Sequence, residues 1–210
     1  MKTTARQDGW RRGGTGVDAE MPGVPITNFM DEFTRNTDDD KKLEEVLKHL
    51  SIDILSALSY LHARNIVHLD VNPLNLLVST NRVHLVDFGS ARFLDDDDLQ
   101  WGDGDIRYSA PERLDGNLPT SGSDIWSYGA VLFQLCFGVT PHRLLTTTTT
   151  MSEMTVTATT TKRRTTRSMP GTTNAQRRSS ALIAFLSEVL ASEASRRPSA
   201  DVCLERRWFQ

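Results

Sequence analysis

The chain has 210 residues, a length that suits one globular domain burying roughly 70% of the surface that its unfolded form exposes. Apolar residues make up 38% and charged residues 24% of the composition, which argues against a wholly disordered chain. The net charge of −3 gives no electrostatic reason to expect nucleic acid or an anionic membrane as a partner, and no stretch approaches the ~20 consecutive apolar residues of a membrane span.

Residues 1–18 form the first of three compositional zones. They are rich in Gly and Arg without periodicity, so we predict a flexible lead-in, and they lack the apolar stretch of a secretory signal. Cys136 and Cys203 are predicted to be buried apolar side chains rather than a disulfide or a metal site. Together these features predict an intracellular, cytoplasmic protein.

Residues 19–145 carry the structured pattern, which opens with the hinge-like segment "AEMPGVPITNFM". Next, "LLVST" and "RVHLV" alternate roughly and contain β-branched residues, which predicts a strand hairpin with its turn at Thr80 and Asn81. Between hinge and hairpin, steps of three and four residues predict one face of a long amphipathic helix: Leu43, Val46, Leu47, Leu50, Ile54, Leu58 and Leu61.

A second helix is predicted in "SDIWSYGAVLFQLCFG", with Ser123 as its N-cap and Gly138 just beyond its end. It carries few charges on any face, so we expect it to be central and buried. Residues 146–180 follow as a basic, low-complexity insert with 14 Thr, which cannot bury enough apolar surface to offset its chain entropy. Helical periodicity returns in residues 181–210. The predicted fold class is mainly α with a small β-hairpin.

Polar side chains flank the predicted hairpin in "HLDVNPLN" and "VDFG". Asp70 and Asn75 precede its first strand and Asp87 follows its second, so strand pairing would bring all three to the same end of the hairpin. Asn75 and Asp87 offer the hard oxygen ligands that Mg²⁺ prefers, and Asp70 can accept a proton from an attacking hydroxyl. The alternative is that they are ordinary polar loop residues.

These stretches resemble the motifs of the protein kinase family. "HLDVNPLN" is similar to the catalytic loop H-R-D-L-K-P-x-N, "DFG" to the metal-binding tripeptide and "SAPE" at 109–112 to A-P-E. "SDIWSYGAVLFQLCFGVTP" resembles the buried F helix, and "ASRRPSADVCLERRWF" resembles the C-terminal R-P signature. The resemblance covers about 20–145 and 181–210, and it implies the C-terminal lobe of an α+β kinase fold with its hinge, truncated by the absence of the small lobe.

The resemblance implies ATP and Mg²⁺ as cofactors. Asp70 would be the catalytic base, and Asn75 and Asp87 would hold Mg²⁺ on the ATP phosphates. Leu77 and Met21 would be the nucleotide-binding residues, with Leu77 forming the floor under adenine.

The resemblance also implies residues that support the site. His68 and Phe88 would pack beneath it, and Asp124 would bond to the backbone of the catalytic loop. Glu112 and Arg197 would form a buried ion pair, whose breakage should cost roughly 3 to 5 kcal/mol.

Three positions depart from the family pattern. Leu69 replaces the arginine that usually reads a phosphate on the activation loop. Asn72, which with Asp70 makes up the predicted catalytic pair, replaces the lysine that neutralises the charge of the transferring phosphate. Asp105 stands where the Thr partner of that lysine usually lies. Only about 18 residues precede the hinge, so no small lobe is expected and no residue can be assigned as the ATP-anchoring lysine.

The implied function is ATP-dependent phosphoryl transfer to protein substrates, and Pro73 favours Ser/Thr over Tyr as the acceptor. The isolated chain is expected to be inactive without the small lobe, and the alternatives are an inactive kinase-like scaffold or a truncated kinase fragment. The implied partners are a protein substrate and a regulatory protein, with no nucleic acid and no membrane.

The Asp95–Asp98 run predicts a solvated loop or a contact for basic substrates. Thr165 and Ser179, in basic stretches, predict phosphorylation sites or a plain linker.

Overall fold

The computed structural model describes residues 23–37, 39–80, 82–96, 104–141 and 178–210. Several residues and segments named above lie outside the described residues: the 1–18 lead-in, Met21, Asn81, Asp97, Asp98, Thr165 and the Thr-rich insert up to residue 177.

Helices dominate the described chain, and the strands are short. The α-helices are α1 (Ile26–Asn36), α2 (Asp40–His62), α3 (Pro111–Leu114), α4 (Ser121–Phe137), α5 (Ser180–Val189) and α6 (Ala200–Leu204). The strands are β1 (Val24–Pro25), β2 (Ile66–Val67), β3 (Leu76–Ser79), β4 (Arg82–Leu85) and β5 (Arg92–Phe93). Single 3₁₀ turns lie at Pro73–Asn75, Phe88–Ser90, Ile106–Tyr108 and Ala194–Arg196. This architecture confirms the predicted fold class.

The long helix α2 is the platform of the fold. Asp39 caps its start, because Oδ1 accepts hydrogen bonds from the N–H groups of Lys41 at 3.0 Å and Lys42 at 3.4 Å, which the first turn leaves without helical partners. Its apolar face is buried as its periodicity predicts, except that Val46 is only half-buried. The helix packs against β4, α4 and α6. The hairpin and the central helix are thereby fixed to one rigid element.

Helix α4 is buried on nearly every side, as its lack of charge predicts. The prediction of Ser123 as its N-cap is wrong, because the helix begins at Ser121 behind Thr120. Ser123 is instead the third helical residue, and its Oγ accepts a hydrogen bond from the N–H of Thr120 at 3.0 Å in a capping box. The C-terminal prediction holds, since Gly138 follows the helix with a φ of 76°.

The C-terminal helices close the core against α4. A Cβ at Gly129 would lie 2.8 Å from Cγ2 of Val189, so α4 and α5 approach closely only because this residue is glycine. Trp208 is buried and stacks on Phe185 with ring centroids 5.2 Å apart. Of the helices within the described ranges, none combines the length and apolar character that crossing a bilayer requires.

Two small antiparallel sheets position the site. The predicted hairpin is present, with Leu76 opposite Leu85 and Val78 opposite Val83, and β1 adds a third strand beside β3. The pairing of β2 with β5 forms the second sheet. The sequence patterns did not predict α1, β1, β2 or β5.

Candidate active site

The hairpin sets the relative positions of Asn75 and Asp87. Asn75 ends the turn that leads into β3, and the N–H of Val86 donates to its carbonyl oxygen at 3.0 Å, one step beyond the last pair of the hairpin. Asp87 follows directly and has a φ of 60°. Its exposed carboxylate accepts a hydrogen bond from the N–H of Gly89 at 3.1 Å. Both residues therefore lie at the same end of the hairpin.

Asp70 is half-buried, and its carboxylate accepts three hydrogen bonds. Oδ1 accepts from the side-chain amide of Asn72 at 2.8 Å and from the N–H of Asp105 at 3.1 Å. Oδ2 accepts from the side-chain amide of Asn75 at 2.8 Å, and the same amide donates to the Asp70 carbonyl at 2.9 Å. The structure thus joins Asp70, Asn72 and Asn75 directly, while Asp87 binds its own loop.

His68 links the catalytic loop to the end of β4. Its ring is fully buried, and Nδ1 accepts a hydrogen bond from the N–H of Asp70 at 3.3 Å. Because Nδ1 is the acceptor, Nε2 carries the proton and donates to the Val86 carbonyl at 3.1 Å. The Phe88 ring meets the imidazole edge to face, with centroids 5.0 Å apart. His68 and Phe88 therefore pack together beneath Asp70, as the resemblance implies.

Asp124 holds the catalytic loop from below. This fully buried carboxylate accepts hydrogen bonds from the N–H of His68 and the N–H of Leu69, each at 2.8 Å. His62 adds a contact between its Nε2 and Asp124 Oδ2 at 2.9 Å. None of the sequence motifs described above includes His62, so its contact with Asp124 was not predicted. His62 lies six residues before His68 in "YLHARNIVHLD", but its partner Asp124 is 62 residues away and is brought to it only by the fold.

Leu69 has a strained backbone. Its φ is 65°, in the left-handed region that branched apolar residues rarely occupy, and its side chain is buried. The bond from its N–H to Asp124 is one of the contacts that hold this conformation. At the position where the family resemblance places a phosphate-binding arginine, this chain therefore has a buried apolar side chain.

Asp105 contacts the site through its backbone, whereas its side chain binds elsewhere. Its carboxylate accepts bonds from Nε and Nη2 of Arg107, the shorter at 2.6 Å. These hydrogen bonds hold the pKa of the Asp105 carboxyl below its usual value, against the opposing effect of partial burial. The Asn72 amide points to Asp70, so Asn72 and Asp105 meet at the same carboxylate.

A buried ion pair braces the segment that follows. Nη1 and Nη2 of Arg197 donate to the two carboxylate oxygens of Glu112, each at 2.7 Å, and Ser123 Oγ donates to Glu112 Oε1 at 2.7 Å. Burial alone would raise the pKa of Glu112, but the hydrogen bonds from Arg197 and Ser123 outweigh it and lower the pKa. The structure confirms the pair expected from the resemblance.

Asn75 and Asp87 fit Mg²⁺ by their chemistry, since both offer hard oxygen ligands at one end of the hairpin. Among the described residues, no three His, Cys, Asp or Glu side chains are grouped closely enough to hold a metal alone. The two residues therefore suit an ion that takes its other ligands from phosphate and water, as Mg²⁺ commonly does.

Of the two residues predicted to bind the nucleotide, only Leu77 is among the described residues. Leu77 is half-buried in β3, opposite Pro25 and His84. A Cβ at Gly23 would lie 3.1 Å from Cβ of Leu77, so the start of the described chain approaches this residue closely. Met21, the other nucleotide-binding prediction, lies outside the described residues.

Comparisons with known proteins place the chain in a family. Its sequence matches the family model described as "Protein kinase domain" over residues 25–209. It is 36% identical over 133 residues to Tyrosine-protein kinase abl-1 of Caenorhabditis elegans, covering 59% of this chain and 11% of the relative. It is 36% identical over 95 residues to Probable serine/threonine-protein kinase mkcF of Dictyostelium discoideum, covering 45% and 14%. It is 40% identical over 99 residues to MAP kinase kinase skh1/pek1 of Schizosaccharomyces pombe, covering 47% and 27%.

The aligned part of the chain therefore spans 11 to 27% of the length of these relatives. These relatives include both tyrosine and serine/threonine kinases by name, so the family is common to them while the acceptor residue differs. The family model, in contrast, spans the described fold from β1 to the residues after α6. On this evidence the chain belongs to the eukaryotic-type protein kinase family.

Proposed function

We propose that this chain is the large lobe of a protein kinase that transfers the γ-phosphoryl group of Mg²⁺-ATP to serine or threonine hydroxyls of protein substrates. The observation that carries the proposal is the bonding of Asp70. A carboxylate has about four acceptor positions, and three on Asp70 are taken by Asn72, Asn75 and Asp105. The remaining position lies on Oδ2, where a substrate hydroxyl can donate.

In the proposed reaction the substrate hydroxyl donates to Asp70 Oδ2 while its oxygen attacks the γ-phosphorus. The new oxygen–phosphorus bond forms as the bond to the β,γ-bridging oxygen breaks, the hydroxyl proton passes to Asp70, and ADP leaves. Mg²⁺ held by Asn75 and Asp87 would neutralise the phosphate charge. Because Asn75 binds Asp70 through its amide nitrogen, its amide oxygen remains for the ion. Asn75 thereby couples the position of the base to that of the metal.

Serine and threonine are the proposed acceptors because of Pro73. The notable feature is the sequence "VNPLN", since tyrosine kinases typically carry A-A-R-N or similar at this point. Pro73 is buried and begins the 3₁₀ turn that carries Asn75. We also infer a protein substrate and a regulatory protein partner, which follow from the family resemblance, and a cytoplasmic location, which follows from the sequence features given above.

ATP binding requires a cation that holds its phosphates. No lysine of the 210 residues can be assigned this role, because none stands in a V-A-x-K sequence. We therefore propose that the 210-residue chain alone does not transfer phosphate at a measurable rate. Transfer would need a small lobe that supplies this lysine, either on a longer chain or on a partner.

A non-catalytic scaffold is the second candidate, and Asn72 favours it. The family's lysine would meet the transferring phosphate, whereas the Asn72 amide donates to Asp70 and carries no charge. By analogy with the loss of one electrostatic donor, the missing cation would lower the rate by roughly 10²- to 10³-fold. A scaffold would keep the fold and lack transfer even with a small lobe present.

The test supplies the missing lobe. A protein kinase small lobe with its Gly-rich loop and V-A-x-K strand is fused ahead of Gly23, and phosphate transfer is measured to peptides that differ only in carrying Ser, Thr or Tyr. We expect transfer to Ser and Thr in the fusion and none from the 210-residue chain. Asp87→Asn should raise the Mg²⁺ concentration needed for half-maximal rate, whereas Asp115→Asn, at an exposed carboxylate just after α3, should not.

Each alternative outcome has a defined meaning. A fusion that binds Mg²⁺-ATP, by thermal shift, yet transfers no phosphate supports the scaffold. Transfer to Tyr alone contradicts the proposed acceptor. Robust transfer by the unfused chain contradicts the need for an added lysine.

A further inference from the structure

The strained Leu69 peptide is held on two sides. On the amide side, its N–H donates to Asp124 Oδ1 at 2.8 Å. On the carbonyl side, Nη1 of Arg113 donates to the Leu69 oxygen at 2.7 Å. A φ of 65° persists in a leucine only when the surroundings fix it, and these two bonds do so from opposite ends of the residue. Asp70 is the next residue, so whatever fixes the Leu69 carbonyl also fixes the start of Asp70.

Arg113 reaches this carbonyl from α3, 44 residues further along the chain, and only 8% of its surface is exposed. Gly104 packs over the same point. A Cβ at Gly104 would lie 2.5 Å from the Leu69 oxygen and 3.3 Å from Nη1 of Arg113. The guanidinium and the Gly104 backbone therefore enclose the carbonyl together. The N–H of Asp105, next to Gly104, donates to Asp70 Oδ1, so both sides of this enclosure lead to the catalytic carboxylate.

Arg113 also brings a positive charge to a loop that has none. Residues 68–75 contain neither Lys nor Arg. Burial lowers the pKa of Arg113, and the carboxylates of Asp124, Asp70 and Glu112 oppose that effect. An arginine with three such neighbours keeps its charge at neutral pH. The hydrogen bond to Leu69 is consequently a charge-assisted one, which is stronger than a bond between neutral groups.

We propose that Arg113 is a positioning residue for the phosphoryl-transfer site. It fixes the strained Leu69 peptide, and through it Asp70, and it ties the catalytic loop to the segment formed by Gly104, Asp105 and α3. The catalytic consequence rests on the proposed function, whereas the mechanical role stands on the contacts alone. Arg113 touches the Leu69 backbone rather than a reacting atom, so its effect passes through Asp70.

Hydrogen exchange of single amides, followed by NMR on the 210-residue chain, tests this role. The reporters are the N–H of Leu69, bonded to Asp124, and the N–H of Asp105, bonded to Asp70. Arg113→Met keeps much of the volume and removes the donor. Relative to amides in the middle of α4, both reporters should exchange about tenfold faster, as expected for the loss of one charge-assisted hydrogen bond. Arg113→Lys, which keeps the charge and one donor, should restore part of the protection.

The control is Ile54→Val, a conservative change in the buried face of α2 that lowers global stability. It should speed the exchange of the two reporters no more than that of the α4 amides, because it removes neither of the reporters' hydrogen bonds nor the bond of Arg113 to Leu69. If Arg113→Met does not fold, Gly104→Ala serves instead, because its Cβ would crowd both the Leu69 carbonyl and the Arg113 guanidinium and so disturb their hydrogen bond without removing the charge. Reporter ratios equal to those of the unmodified chain in a folded Arg113→Met or Gly104→Ala variant would overturn the proposal.

The catalytic half has its own readout in the phosphate-transferring form of the protein. Arg113→Met should lower kcat about tenfold and leave the KM for ATP unchanged, because the base moves while the nucleotide site does not. An unchanged kcat would overturn the catalytic half. Absence of transfer in the unmodified protein would reject the proposed function, and the exchange ratios would still decide whether Arg113 fixes the loop.

Discussion

Replacement of Glu112 by glutamine should destabilise the fold more than any surface substitution, because of how Arg197 is bonded. A guanidinium has five N–H donors, and the Arg197 side chain uses all of them. Two go to Glu112, and the other three go to the backbone oxygens of Ala191, Gly122 and Ser192 at 2.7 to 2.9 Å. The pair therefore ties α3, the start of α4 and the segment after α5 at one point.

The magnitude follows from burial. The Arg197 side chain is 0% exposed and that of Glu112 is 12% exposed, so little water can reach the cation when its partner is changed. Glutamine keeps one acceptor oxygen, but its amide nitrogen faces a guanidinium donor. Removing one member of a buried pair costs about 3–5 kcal/mol, a large share of the ~5–15 kcal/mol that stabilise a typical domain.

Urea unfolding at pH 7, followed by circular dichroism, measures this loss of unfolding free energy. The matched control is Glu193→Gln, which removes the same charge from the Arg196 pair, whose side chains are 73% and 62% exposed. Exposed pairs contribute at most about 1 kcal/mol, so the control should be nearly neutral. A loss below about 1 kcal/mol for Glu112→Gln, equal to the control, would refute the reasoning.

The same pair predicts a pH dependence with a defined sign. The folded-state pKa of Glu112 lies below its ordinary value of 4.5, so folding favours the charged carboxylate. Its contribution is fully present above that value and is lost as the pH falls through the lowered folded pKa. The difference in melting temperature between the unmodified chain and Glu112→Gln should therefore shrink below pH 4.5. A difference that grew on acidification would contradict this sign.

Two further substitutions test the internal supports. Asp124→Asn leaves the backbone N–H of either His68 or Leu69 facing an amide nitrogen. We therefore expect the unfolding free energy measured in urea to fall by about 3 kcal/mol. A stability equal to that of the unmodified chain would contradict the role of Asp124. Glu44→Gln replaces the charged acceptor of the Trp208 indole N–H, which is bonded at 2.8 Å. We expect the unfolding free energy to fall by about 1.5–3 kcal/mol and the indole proton to exchange faster by NMR. Unchanged exchange of that proton would count against the contact.

The periodic elements were predictable because each buries one face along a single stretch of chain. The leucines and isoleucines of α2 repeat at helical spacing, and β3 and β4 alternate around a short turn. Helix α1 carries a similar signal that was missed: Ile26, Met30 and Phe33 follow steps of four and three, and Ile26 and Met30 are buried. No side chain caps its start behind Pro25, so the usual signal for a helix beginning is absent.

The two-residue strands could not be predicted for a physical reason. A strand of two residues, such as β2 or β5, is too short to show alternation, and its pairing partner is fixed only by the fold. The same holds for the contact of His62 with Asp124, 62 residues apart, and for the bond of Arg113 to Leu69, 44 residues apart. Such side chains lie in no motif, and only tertiary packing brings them to the catalytic loop.

The placement of Asn75 and Asp87 at one end of the hairpin was predictable from their spacing around the two strands. The catalytic role of Asp70 and the metal-binding roles of Asn75 and Asp87 stay predictions. The spacing did not predict which hydrogen bonds these side chains make with one another. Both Asn72 and Asn75 donate to the Asp70 carboxylate, and the Asp105 backbone adds a third bond from a different segment. The bond between the side chains of Asn75 and Asp70, five residues apart, depends on the turn at Pro73–Asn75, which sequence patterning does not specify.

The measurement that bears most directly on the proposed phosphoryl transfer is the single-turnover rate constant of the small-lobe fusion with Asp70 changed to Asn. Asp115→Asn, at an exposed carboxylate just after α3, is the control. If Asp70 is the base, its replacement should lower the rate constant by about 10²- to 10⁴-fold, while the control retains the full rate. Equal rate constants for Asp70→Asn, Asp115→Asn and the unmodified fusion would contradict the assignment of Asp70 and the proposed function with it.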